Sequence, residues 1–183
     1  MLGIRLAELH PIFVHFPIAL LLTSVALDFV ATFMRRWNIA DVSTWLLVPG
    51  VIGAFLAGVT GTISSHSANA FKDGATNLLA LHQKFGFAAG ALFAALLLAR
   101  LIRLSPRILG GMSTSFGFIR PLETRLRTVI PAVFAKPPSA LVIAAYLLAS
   151  VVAAVLLGIT GYLGGAMVYD HGLGTPTGFF FHG

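Results

Sequence analysis

The chain has 183 residues, of which 57% are hydrophobic and 10% charged, and its mean hydropathy is +0.92. A soluble domain carries charge on about a quarter of its residues, so this composition excludes a soluble globular protein and implies an integral membrane protein. At about 20 residues per span there is room for four spans and one sizeable loop, and no second domain is expected within residues 1–183. The absence of cysteine removes disulfides, iron–sulfur ligation and thioether haem attachment.

The first span, residues 10–34, opens on HPIFVHFP, which puts His10 and His15 at the mouth of a segment otherwise made for lipid. The apolar part alone would cover roughly 35 Å as a helix, against a hydrocarbon core of roughly 30 Å. His15 would lie inside the membrane near one face, with His10 about a turn and a half above it. Ionisable groups in spans are costly, usually face the bundle interior and are functional candidates. The run is too long for a signal-peptide core, has only Arg5 as a preceding cation and lacks a small-x-small cleavage site. It therefore reads as a retained span.

Arg35 and Arg36 end this span, and a short polar turn with Asp41 leads into a second over residues 44–64. Pro49 falls in its first two turns, where proline is best tolerated. Gly53, Gly58 and Gly61 thin its surface for close helix packing or for a flat ligand. The stretch SHSANAFKDGAT reads as a loop. The third span, residues 77–101, holds His82, Lys84, and Gly86 and Gly90 in GxxxG spacing. Residues 102–138 form the long connection, in which Phe118, Leu122, Leu126 and Val129 recur at helical spacing with Arg120, Arg125 and Arg127 between them. That pattern predicts one amphipathic helix on the membrane surface, its basic side toward anionic headgroups. The fourth span covers residues 139–167, and a glycine-rich tail with Phe179, Phe180 and Phe181 suits an interfacial anchor.

The expected architecture is an all-α four-helix membrane bundle. Arg35, Arg36, Arg100, Arg103, Arg107, Arg120, Arg125, Arg127 and Lys136 share the side of the one–two and three–four connections, whereas Arg5, Lys72 and Lys84 take the other. Positive residues stay cytoplasmic, so both termini are expected outside. The sequence pI of 10.6 then reports topology and not nucleic-acid binding.

With that topology all six histidines lie on the outer side: His10 and His15 open span one, His66 closes span two, His82 opens span three, and His171 and His182 follow span four. His15 and His82 lie four or five residues inside their helices, at about one level. Two histidines at one depth on different helices, with no cysteine available, suit axial ligation of haem b. His15 and His82 are the expected ligands, and His10, His66 and His171 form a shallower ring. Phe13, Phe16, Phe85 and Phe87 lie at the same level and could wall a porphyrin, although aromatics at helix ends also face lipid. Zinc or copper on several neutral imidazoles is open too, but a closed zinc site usually recruits cysteine or carboxylate, and this side offers Glu8, Asp73 and Asp170. Asp28, seven residues before Arg35, is expected to pair structurally with Arg100 or Arg36.

HPIFVHFPIALL followed by Asp28, LALHQKFG around His82, and GYLGGAMVYDHGLG around His171 resemble a bacterial family of four-helix membrane proteins catalogued as a domain of unknown function. The resemblance covers the four spans, with the long basic connection outside it. The shared pattern falls on His10, Pro11, Phe16, Pro17, Asp28, His82, Gly164, Gly165, Tyr169, His171 and Gly172, and leaves out His15. In that family the unit also occurs joined to Rieske or c-type cytochrome domains, which implies a redox setting. The expected function is a b-type electron-transfer cytochrome or cytochrome-like subunit, exchanging electrons with a redox partner protein or a quinone. The alternative is a non-redox metal-binding or scaffold subunit of a larger membrane complex. No nucleophile–base pair, phosphate-binding loop or paired carboxylate supports a hydrolase or a kinase.

Overall fold

The computed structural model describes residues 6–67, 75–115 and 138–169, together with Pro121, Thr124, Arg125 and Thr128. Four long helices follow one another: α1 (Leu6–Met34), α2 (Trp37–Ser67), α3 (Ala75–Ser115) and α4 (Ala140–Tyr169). Each contains a stretch long and apolar enough to cross a bilayer: Val14–Met34, Asn38–Ile63, Thr76–Arg103 and Ala140–Tyr169. Among the described residues there is no strand. In lipid this is the expected solution, because a helix satisfies its own backbone hydrogen bonds.

Two boundaries differ most from those read in the sequence. The turn between α1 and α2 is only Arg35 and Arg36, and Asp41 lies inside α2. Arg35 adopts a left-handed conformation with φ 50°. Its N–H bonds the Thr32 carbonyl at 3.4 Å, and the Arg36 N–H bonds the Ala31 carbonyl at 3.1 Å. These are the paired bonds of a Schellman cap, with arginine where glycine is usual. The chain thus reverses at once, and no polar linker is needed. α3 in turn runs about twelve residues beyond Arg103, roughly 18 Å past its membrane-spanning part. Farther on, the Thr128 hydroxyl donates to the carbonyls of Thr124 and Arg125, as in a helical turn. The rest of the expected surface helix lies outside the described residues.

The bundle is two antiparallel hairpins, α1–α2 and α3–α4, whose internal interfaces are the most extensive. Smaller α2–α3 and α1–α4 interfaces close the ring. Apolar driving force between helices is weak in lipid, so close packing carries the association. A Cβ on Gly50 would sit 2.7 Å from Leu21 Cδ2, and one on Gly53 2.9 Å from Pro17 Cβ. On α3, Gly86 lies against α4, where a Cβ would meet Thr160 Cγ2 at 3.3 Å, whereas Gly90 has no neighbour within 4 Å. Leu21, Val25, Leu47, Phe93, Leu96 and Ala153 form the core, drawn from all four helices. Phe33, Trp45, Phe55 and Leu148 point outward, as lipid-facing side chains do.

Candidate functional site

Polar side chains gather at two levels of this apolar bundle, near its opposite ends. At the end that carries the α1–α2 turn, Asp28 of α1 is 5% exposed and receives one residue or more from each other helix. Arg100 of α3 places Nη2 2.5 Å from Asp28 Oδ1. Its Nη1 donates to Ser43 Oγ at 2.9 Å and to Thr44 Oγ1 at 3.2 Å, both on α2. Tyr146 of α4 donates its hydroxyl to Asp28 Oδ2 at 3.2 Å, and the Arg100 guanidinium lies 5.1 Å from the centre of its ring. Ser43 also donates to the Ser24 carbonyl at 3.0 Å. The expected partner of Asp28 is therefore Arg100 and not Arg36, and the pair is buried inside the bundle. Charge of opposite sign, hydroxyls that donate to Asp28 or accept from Arg100, and a π face together replace the water that these groups lack.

The other level lies 18 residues back along α3, about 27 Å away, at His82. His82 is half-buried between α3 and α4. Its Nδ1 is 2.9 Å from the backbone carbonyl of Thr160, which can only accept, so Nδ1 carries the proton and donates. In the neutral ring Nε2 is then the nitrogen with the lone pair. Gly164, one turn beyond Thr160, makes the approach possible: a Cβ there would lie 3.2 Å from His82 Cε1 and 3.5 Å from Nδ1. The imidazole is thus oriented by a main-chain acceptor, as ligating histidines commonly are.

The remaining expected ligands are distributed as follows. His15 is exposed on α1, two residues before the buried Pro17. His10 and His66 lie on α1 and α2, with side chains outside the described residues, as is the whole of His171. Among the described residues no three histidines, cysteines or carboxylates come together as a metal cage. Sequence reading missed Ser43, Thr44 and Tyr146 around Asp28, and Thr160 beside His82. Polar residues within spans are themselves the signal that points to the first three. The role of Thr160 is carried by its backbone, which has no signature in residue type.

Residues 7–177 match the family described as predicted membrane protein, DUF2231. The chain belongs to this family. The match spans all four helices and crosses the 102–138 connection, which the motifs alone leave aside. No curated protein and no solved structure matches the chain. In this DUF2231 protein, Gly164→Ala isolates the role of the missing side chain. Alanine gains up to about 1 kcal/mol of helix propensity, and displacing His82 from Thr160 loses about as much in hydrogen bonding. The melting temperature should therefore change little, while the His82 ring moves. Nitrogen NMR of the imidazole should report a weakened Nδ1 hydrogen bond; an unaltered His82 signal would show that the ring has room to spare.

Proposed function

We propose that this protein is a membrane-embedded b-type haem protein that transfers electrons, with His82 as one of the residues that would hold the haem. The observation that carries the reading is the Nδ1–H bond of His82 to the Thr160 carbonyl at 2.9 Å, in a protein with no cysteine. That bond fixes ring and tautomer and raises the basicity of Nε2, which suits it to iron. Held by His82, a haem would supply one-electron redox chemistry between a donor and an acceptor. A quinone in the bilayer or a redox partner protein is the reactant class that fits a site near one end of the bundle. The basic residues gathered at the opposite end support an outward-facing site in a bacterial inner membrane.

A visible spectrum of detergent-purified protein from cells supplied with excess haem tests the reading. A low-spin b-type spectrum is expected, and its loss in His82→Ala. Colourless wild-type protein would overturn the haem assignment and leave a metal-binding or scaffold subunit of a larger complex.

A further inference from the structure

The two hairpins carry one signature twice. Leu6, Leu9, His10 and Phe13 at the start of α1 recur 72 positions later as Leu78, Leu81, His82 and Phe85 on α3. Leu56, Gly58, Thr60 and Gly61 of α2 recur 100 positions later as Leu156, Gly158, Thr160 and Gly161 of α4, with Val59 answered by Ile159. The structure treats these positions alike. The Thr60 hydroxyl donates to the Leu56 carbonyl at 3.0 Å, and the Thr160 hydroxyl to the Leu156 carbonyl at 2.8 Å. Pro17 and Ala89 are both buried, as are Leu21 and Phe93, and each of these pairs is separated by the same 72 positions. The correspondence departs at Gly164, whose counterpart is Ser64.

Asp28 and Arg100 are also 72 positions apart, and they touch. Equivalent residues that meet must lie beside the axis that relates the two hairpins, an axis running along the helices as in other parallel membrane repeats. From that contact, His10 lies 18 residues back on α1 and His82 18 residues back on α3. Eighteen residues are about five turns, so each helix returns to the same face, about 27 Å along the bundle. α1 and α3 run in the same direction, and the two register positions therefore come to one level on facing sides of the axis.

We infer that the chain is a tandem repeat of one helical hairpin, that His10 is the counterpart of His82, and that the two imidazoles form a single paired site for a metal centre with two opposed nitrogen ligands. The identity of that centre as haem rests on the reading above; the pairing rests on the repeat and on the Asp28–Arg100 contact. His15 lies about 140° around α1 from His10 and off the axis.

Full-length protein tests the pairing in two ways. First, His10→Ala and His82→Ala should each abolish the low-spin spectrum, His15→Ala should leave it unchanged, and His10→Met and His82→Met should shift the midpoint potential in the same direction. A low-spin spectrum that survives in His10→Ala would overturn the pair while leaving the haem. Second, in this cysteine-free chain a His10→Cys/His82→Cys double variant should be closed intramolecularly by a short bismaleimide, and a His15→Cys/His82→Cys variant should not. This readout needs no cofactor, so it decides the pairing even in colourless protein. Cross-linking of the 15/82 variant in place of the 10/82 variant would overturn the repeat-based register.

Discussion

Arg100→Ala should destabilise the protein by about 3–5 kcal/mol, the usual consequence of removing one partner of a buried ion pair. The effect is large because Asp28 is 5% exposed and would be left charged with only the Tyr146 hydroxyl to face it. Ser43 and Thr44 would lose their shared donor at the same time. Replacing both charges, as in Asp28→Leu/Arg100→Met, should restore much of the loss, since apolar side chains of similar volume need no partner in the bundle. Thermal unfolding in detergent distinguishes the two cases. A single variant as stable as the double would mean that the carboxylate finds water or a proton, and that the network does not hold the helices together.

The second large effect is expected at Gly53. A Cβ there falls 2.9 Å from Pro17 Cβ and 3.3 Å from its Cγ. At Gly50 the clashing atoms belong to Leu21, which can rotate, but the Pro17 ring is fixed to its own backbone. Gly53→Ala must therefore push α1 and α2 apart, at about 1–3 kcal/mol for overpacking, beyond the propensity that alanine gains. Gly50→Ala should cost less, although its contact is shorter. Unfolding of the two variants side by side gives the order, and a milder Gly53→Ala would show that the hairpin yields at Pro17.

The four spans were legible in the sequence because lipid imposes a simple requirement, a long run of apolar residues, and residues 10–34, 77–101 and 139–167 meet it plainly. The start of α2 was not legible in the same way. Asn38 and Asp41 look like a loop, yet they are exposed in the first turns of the helix, where polar side chains cost nothing. The reversal instead depends on Arg35 adopting a left-handed backbone, which arginine does not advertise. The far end of α3 was hidden by Pro106, Arg107, Gly110 and Gly111, which read as loop although the helix continues to Ser115. Asp28 announced a partner, and both candidate arginines could be named. Choosing Arg100 required knowing which helix faces which. At the other end the His82 side chain was conspicuous, but its orienting group is a carbonyl, and only the fold shows that α4 brings Thr160 to it.

The two-residue reversal at Arg35 and Arg36 also bears on how the chain enters the bilayer. Consecutive Cα atoms are about 3.8 Å apart, so α1 and α2 have no slack with which to insert one at a time and meet afterwards. A nascent α1 that crossed alone would leave only Arg35 and Arg36 as its tether, and α2 would have to follow in contact with it. The first hairpin is thus a unit of biogenesis as well as of packing, with two arginines that resist being drawn through the hydrocarbon. The second hairpin is joined differently, because the stretch of chain between Ser115 and Ala140 is long enough for α3 and α4 to enter separately.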